Sequence, residues 1–299
     1  MRDLTRRDFV RTAGAAMLQA RETAPAPRAR PIICLFSKHL AMLEYTELGG
    51  ILAQLGFEGC DLTVRKGGHV LPEKAPVDLV RAIECIRGEG VEVPMITTDL
   101  VSAADPWARN VLGLAGRQYM KVPFFKPGYY LYGPGPVKDR LAVVERELAG
   151  LVALGRAYGI AAGFHNHAGE YVGEAVWDIH ELIRDMDPRW IGYYFDPCHA
   201  TAEGGEGGWD VALRLALPRI KMVAMKDFYW EKAGGKWRRR MCPIGEGMVD
   251  WPKVFATLAQ ANFSGPLSLH IEYNPPDGLA AITRDLAWVK KQVAAAWST

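Results

Sequence analysis

Eight apolar, strand-like segments alternate with eight helix-like segments, and this alternation constrains the fold more than any other feature. The strand-like segments span 31–37, 56–64, 91–98, 117–125, 160–165, 191–197, 220–228 and 266–273. The helix-like segments span 40–55, 77–87, 107–114, 137–158, 177–185, 209–217, 251–261 and 279–296. Near-continuous apolar strands are typical of parallel sheets covered on both faces. Eight such units predict an α/β fold, a single-domain (β/α)8 TIM barrel over residues 31–299.

An open, doubly wound sheet is the rival arrangement of alternating strands and helices. That fold carries a glycine-rich phosphate loop directly after its first strand. The first predicted strand and its continuation read PIICLFSKHL and contain no glycine. The barrel is therefore favoured.

Composition narrows the class of protein further. The chain has 299 residues, of which 49% are hydrophobic, enough for one large core. No apolar run reaches the roughly 18 residues that a membrane span needs. The net charge is +2, but residues 1–30 carry +4, which leaves −2 for the body. A slightly acidic body argues against nucleic-acid binding. The five cysteines show no CxxC spacing and predict neither a disulfide framework nor a zinc cluster.

The first thirty residues predict an export signal and linker. The stretch LTRRDFVRTAGAAMLQA pairs Arg6 with Arg7 and continues into a short apolar run of small residues. This resembles a twin-arginine signal and implies a periplasmic protein. The alternative is a disordered basic tail on a cytoplasmic protein.

The fifth predicted strand lies in the stretch IAAGFHNHAGEY (160–171), which contains two histidines, an asparagine and a glutamate. Period-two alternation places His165 and His167 on one face, with Asn166 on the other. Imidazoles and a carboxylate from Glu170 suit metal binding or proton transfer. The alternative is that these are surface-loop residues that hydrogen-bond the local backbone.

Other predicted strands also end in ionisable residues, at the face of the barrel where active sites lie. Burying so many ionisable groups unpaired would be costly, which favours a polar cavity. We expect Arg65, His69 and His270 to bind substrate. Lys226 is expected to stabilise an enediolate, or alternatively to form a salt bridge with Asp227 or Glu272. The residues outside the fifth strand are, in chain order, Arg65, His69, Asp196, His199, Lys226, His270 and Glu272.

These motifs resemble the xylose-isomerase-like barrels, over residues 31–296. That family includes sugar isomerases, ketose 3-epimerases, hydroxypyruvate isomerase, inosose dehydratase and endonuclease IV. Asp196-Pro-Cys-His199 is similar to its Asp-x-x-His after strand six, which implies that His199 binds substrate. Glu272 is similar to its metal-bridging glutamate. A sugar phosphate isomerase/epimerase-like branch has His-Asn-His where His165 begins, and PIGEGMVDW (243–251) resembles that branch's Gly-Glu-Gly turn.

The resemblance implies a divalent ion held by Asp196 and Glu272, with His165 as a substituted ligand. Two further ligands could come from His270, His199, Glu170 or His167. Mn²⁺, Co²⁺, Zn²⁺ and Mg²⁺ are the candidates, since mixed nitrogen and oxygen ligands suit such ions better than Ca²⁺. One position departs from the family, because Ala224 stands where strand seven usually carries a metal-binding histidine. Ala224 is expected to face the barrel interior, since Lys226 two residues later shares its face.

The expected function is metal-dependent isomerisation or epimerisation of a sugar or polyol by proton transfer next to a carbonyl. Glu170, His167 and Lys226 are the expected catalytic residues. The alternatives are a lyase or dehydratase acting on a keto-sugar, and a noncatalytic sugar-binding barrel. Phosphodiester cleavage is disfavoured because it needs more metal ligands than we can place. The expected partner is a small carbohydrate, and homo-oligomerisation stays open.

Overall fold

A closed barrel of eight parallel strands forms the body of the protein. The computed structural model describes residues 29–298, so the predicted export signal falls almost wholly outside the described residues. The barrel strands pair in the order β1-β10-β7-β6-β5-β4-β3-β2. They are β1 (Ile33–Phe36), β2 (Gly59–Val64), β3 (Glu92–Thr98), β4 (Phe124–Lys126), β5 (Ala161–His165), β6 (Ile191–Phe195), β7 (Ile220–Met225) and β10 (Leu267–Leu269). The predicted TIM barrel is confirmed.

Helices follow the strands and cover the outside of the barrel. They are α1 (Tyr45–Leu55), α2 (Ala75–Gly88), α3 (Ala108–Ala115), α4 (Val137–Tyr158), α5 (Trp177–Ile183), α6 (Pro197–Ala216), α7 (Trp251–Gln260) and α8 (Gly278–Trp297). Each presents an apolar face to the strands, which produces one large core between the two layers. No helix among residues 29–298 is long and apolar enough to cross a membrane.

A second, smaller cluster fills the barrel interior. It consists of Met95, Tyr194, Met222 and Ala224, with Phe124 packed against it. Ala224 therefore lies on the inner face, as the alternation with Lys226 predicted. Above this cluster, towards the carboxyl ends of the strands, the interior becomes polar.

Three elements differ from the sequence prediction. The fourth strand is only Phe124–Lys126, because Lys121 adopts a positive φ of 57° and the chain turns there. The helix after β6 begins at Pro197 rather than residue 209, with a non-helical residue at Gly205. The predicted seventh strand ends at Met225, and an antiparallel hairpin of β8 (Asp227–Ala233) and β9 (Lys236–Cys242) follows it.

Candidate active site

A polar cavity of about 230 Å³ opens at the carboxyl ends of the strands. Its position matches the face where barrel enzymes place their active sites. Six of the residues predicted for the site line it, together with residues that the sequence did not single out. The lining is Phe36, Lys38, Arg65, Thr97, Lys126, Tyr129, His165, His167, Tyr194, Lys226, His270 and Glu272.

Asp196 lies beside this cavity and is fixed by two kinds of contact. Its Oδ1 accepts the backbone N–H of His199 and so caps the start of α6, with Pro197 in the first turn. The Asn166 side chain accepts the Asp196 N–H at 2.7 Å and donates to the Asp196 carbonyl at 2.9 Å. Asn166 points away from the imidazoles, as predicted, and holds the neighbouring strand end. The other oxygen, Oδ2, is left to face the interior.

Two buried histidines converge on that oxygen. His165 Nε2 lies 3.6 Å and His199 Nε2 lies 3.7 Å from Asp196 Oδ2. Within residues 29–298, these three form the group whose ligand atoms lie within 4.8 Å of one another. Burial lowers the pKa of both histidines well below the ordinary value, with a further contribution from the charge of Lys226. Both rings are therefore neutral near pH 7.

Lys226 lies between the two carboxylates of the site. Its Nζ is 3.1 Å from Asp196 Oδ2 and 3.1 Å from Glu272 Oε2. Burial disfavours the ammonium form, but the two carboxylates outweigh it and raise the pKa of Lys226 above the ordinary lysine value. The same ion pair holds the pKa of Glu272 far below its usual range, against the opposing effect of burial. The predicted alternative of a salt bridge to Glu272 is thus observed, inside the cavity.

His167 has one ring nitrogen available to a ligand. Its Nδ1 lies 2.9 Å from the carbonyl oxygen of Ala168, to which it donates, so Nε2 carries a lone pair in the neutral ring. Its ring packs 4.0 Å from that of His199, centroid to centroid. Partial burial, with the nearby Lys226 charge, lowers the pKa of His167 to about 4. A neutral imidazole with a free nitrogen is suited to accept a proton.

A buried hydrogen-bond network supports His270 from beneath. Tyr194 OH lies 3.0 Å from His270 Nε2 and 3.0 Å from Asp61 Oδ2. Thr97 and Ser268 hydroxyls also donate to Asp61. With three donors, the fully buried Asp61 carboxyl is satisfied without contact with a ligand. His270 is thereby held with its ring stacked on Phe36, at 4.5 Å between centroids.

Two cations line the opposite wall of the cavity. Lys126 is 3% exposed, and its Nζ donates to the Pro127 carbonyl and lies 3.6 Å from the centre of the Tyr129 ring. Burial, reinforced by the charge of Arg65, lowers the pKa of Lys126 to about 7. The Arg65 guanidinium lies over Phe36, at 5.4 Å from the ring centre. Arg65 is thus placed where substrate binding was predicted.

Two of the predicted site residues are not brought to the cavity. Glu170 is exposed and lines an outer groove with Tyr132 and Val137, because the strand ends at His165 and Gly169 turns the chain outward at a φ of 106°. His69 is half-buried between Thr63 Oγ1 and the Leu40 carbonyl, each at 3.2 Å, and both its ring nitrogens are engaged there. Neither side chain lines the polar cavity, so this geometry gives no support to the predicted catalytic role of Glu170 or the predicted substrate-binding role of His69.

Lys126 and Arg239 are the residues that the sequence analysis missed. Lys126 was hidden by the misplaced fourth strand, although it is the last residue of the true strand. Arg239 lies on the unpredicted hairpin and reaches His199, with Nη1 at 2.9 Å from the ring Nδ1. The run Trp237 to Arg240 after two glycines was the available sign of a basic hairpin strand.

A larger cavity of about 670 Å³ lies at the opposite end of the barrel, where the strands begin. Its lining includes Pro94, Pro123, Pro218 and Pro266, and Lys221 is its one ionisable residue. Such a lining offers no paired acid and base. We therefore place the candidate active site in the smaller, polar cavity.

Comparison with protein families agrees with the fold. Residues 50–292 match the model of the family described as xylose isomerase-like TIM barrel. The chain belongs to this family. Its matched region includes every predicted site residue.

Individual relatives are more distant. An inosose dehydratase of Bacillus velezensis is 27% identical over 140 residues, which cover 42% of this chain and 46% of the relative. The chain thus spans about half the length of the curated relatives it matches. A solved L-ribulose 3-epimerase has a TM-score of 0.69 at 16% identity, covering 89% of this chain and 95% of that one. A xylose isomerase-like protein of Mycobacterium smegmatis in complex with magnesium has a TM-score of 0.68 at 13% identity, covering 92% and 100%.

Proposed function

We propose that the protein is an enzyme that moves a proton at a carbon next to the carbonyl of a carbohydrate, as an isomerase or epimerase. The observation that carries this proposal is the Lys226 ammonium bridging Asp196 and Glu272 beside the free Nε2 of His167. A neutral base and a fixed positive charge in one cavity are the two parts that carbon-acid chemistry needs. The relatives named inosose dehydratase and the structural neighbour named L-ribulose 3-epimerase support this substrate class.

The residues divide the reaction between them. His167 Nε2 accepts the proton from the carbon, and negative charge develops on the carbonyl oxygen. Lys226 stabilises that oxygen, as a preorganised cation in a water-poor cavity. Arg65 and His270 position the hydroxyl groups. Delivery of a proton to the opposite face of the same carbon gives an epimer. Delivery of the proton to the neighbouring carbon, with transfer of the hydroxyl proton to the former carbonyl oxygen, gives an isomer.

Dehydration of a keto-sugar is the second candidate, favoured by the relatives named inosose dehydratase. The first step is the same, but a hydroxyl group then leaves with a proton as water. Lys126, with a pKa near 7, is suited to supply that proton at neutral pH.

A divalent ion belongs to the same proposal. The buried Asp196 Oδ2 faces the Lys226 ammonium at 3.1 Å and His165 Nε2 at 3.6 Å, so a divalent ion would share that oxygen with the lysine. His165, Asp196 and Glu272 would hold the ion. When bound, Mn²⁺, Co²⁺, Zn²⁺ or Mg²⁺ would polarise the carbonyl oxygen.

Isotope exchange tests the proposal, because proton abstraction precedes every outcome. The protein is incubated in D₂O with a panel of unphosphorylated ketoses and keto-inositols, and loss of C–H signal is followed by NMR. We expect exchange in the parent, a loss of about 10²-fold or more in Lys226→Met, and a similar loss in His167→Asn. Lys221→Met, at the far end of β7, is the matched control and should exchange as the parent does. Binding of a sugar without exchange would favour the noncatalytic barrel instead.

A further inference from the structure

The carboxylate pair of the site already holds a cation that belongs to the chain. Lys226 is 3% exposed and Asp196 is 0% exposed, so this ion pair is shielded from solvent. A buried charge persists only where it is paired. Here one ammonium faces two carboxylates at equal distances of 3.1 Å.

The lysine occupies the oxygen on which an ion would depend. Asp196 Oδ2 is the atom that faces His165 and His199, and it is the same atom that Lys226 approaches. An ion bound at about 2.1 Å from that oxygen would lie in contact with the ammonium, and like charges at such range repel strongly. Ala224, on the same strand, offers only a methyl group among apolar neighbours.

Arg239 engages a second ligand-type residue. Its guanidinium lies 2.9 Å from His199 Nδ1, and arginine is always protonated, so that nitrogen is the acceptor. The neutral His199 ring then carries its proton on Nε2. The atom that faces Asp196 Oδ2 is therefore an N–H group without a lone pair for a metal.

We propose that Lys226 is the resident cation of this site, and that it competes with any divalent ion for Asp196 and Glu272. The inference rests on the proposed function, in which the same ammonium stabilises the oxyanion. It goes further in stating that the charge of Lys226, directly after β7, takes over much of the role that an ion has in the family's barrels. An ion binds weakly, and only when Lys226 leaves Asp196 Oδ2.

Metal binding by Lys226 variants tests this directly. The full chain is freed of metal with a chelator, and Mn²⁺ is titrated into the parent, Lys226→Met, Lys226→Arg and the control Lys221→Met, with calorimetric and thermal-melting readouts. Lys226→Met should bind Mn²⁺ about tenfold more tightly than the parent, or better, and gain a metal-dependent rise in melting temperature. The parent, Lys226→Arg and Lys221→Met should bind Mn²⁺ equally weakly.

A parent that binds one Mn²⁺ per chain with micromolar affinity overturns the inference, and so does a Lys226→Met variant that binds no more tightly than the parent. If Lys226→Met does not fold, the parent and Lys226→Arg titrations still decide. The proposed function is tested separately by isotope exchange. A parent that binds Mn²⁺ tightly and exchanges protons loses only the inference, whereas one that does neither loses only the proposed function.

Discussion

The pKa values of two buried lysines in one cavity are shifted in opposite directions by their neighbours. Lys226 faces Asp196 and Glu272, and its pKa is raised despite burial. Lys126 faces a carbonyl oxygen and an aromatic ring, and burial lowers its pKa to about 7. At neutral pH the first is a fixed charge and the second is near its midpoint. Lys126 is thus the lysine that can gain or lose a proton near pH 7.

The lowered pKa of Lys126 makes the free energy of unfolding depend on pH. Between pH 7 and about 10.4, the ordinary lysine value, the unfolded chain binds this proton and the folded chain does not. Stability therefore gains up to about 1.4 kcal/mol per pH unit as the pH rises through this window, and the gain is absent below it. In Lys126→Met this contribution should disappear.

Urea unfolding of the parent and Lys126→Met at several pH values measures the effect. The difference in free energy of unfolding between the two should grow with pH above 7, relative to its value at pH 6. Exposed Lys74→Met is the control and should give a curve parallel to that of the parent. Parallel curves for Lys126→Met and the parent would show that Lys126 titrates normally.

At the scale of elements, the apolar periodicity of the sequence located the strands and helices whose positions packing in the barrel also favours. Strands β2 and β3 and helix α4 fall close to their predicted ranges, because each has an unbroken apolar pattern and, for α4, Gly159 in the left-handed conformation as a stop. Strand β4 was misplaced because its three residues carry too little pattern to show its ends. The hairpin was missed because β8 reads as a continuation of β7.

The β8–β9 hairpin depends on a two-residue turn, Gly234-Gly235, with φ of 58° and 78°. Both residues lie in the left-handed region that a two-residue hairpin turn of this type requires. Replacing both by alanine should cost about 1–2 kcal/mol per residue in strain.

In the double alanine variant Arg239 should be held less firmly at the site, because Arg239 pairs with Trp230 across this hairpin. Hydrogen exchange of β9 amides and the fluorescence of Trp230 and Trp237 report on the hairpin. Gly278→Ala, where no positive φ is required and no atom crowds the new methyl group, is the control and should be neutral or slightly stabilising. Unchanged β9 protection in the double variant would contradict the prediction.

At the scale of the whole molecule, barrel closure explains which site residues the sequence could locate. His165, Asp196, Lys226 and Glu272 come from four strand ends far apart in sequence, and closure of the sheet brings them to one mouth. Residues that follow a strand directly are placed by the fold itself. Residues a few positions later, such as Glu170, are placed by loop turns that no periodicity reports. Arg239 on β9 contacts His199 on α6, and only the packing of these two elements in the folded chain determines that contact.

The remaining prediction concerns where the folded barrel acts, and it depends on residues outside the described range. Arg6 and Arg7 sit in the basic leader, while the body of the chain is slightly acidic. If the pair is read by twin-arginine export, Arg6→Lys/Arg7→Lys should keep the protein in the cytoplasm, since such signals are recognised by a receptor rather than by net charge. Arg21→Lys/Arg28→Lys keeps the same charge and composition and serves as the control, which should be exported as the parent is. Fractionation of cells expressing the three proteins, with a cytoplasmic marker, gives the result. Equal periplasmic amounts of the parent and the Arg6/Arg7 variant would reject the export prediction and favour a cytoplasmic enzyme.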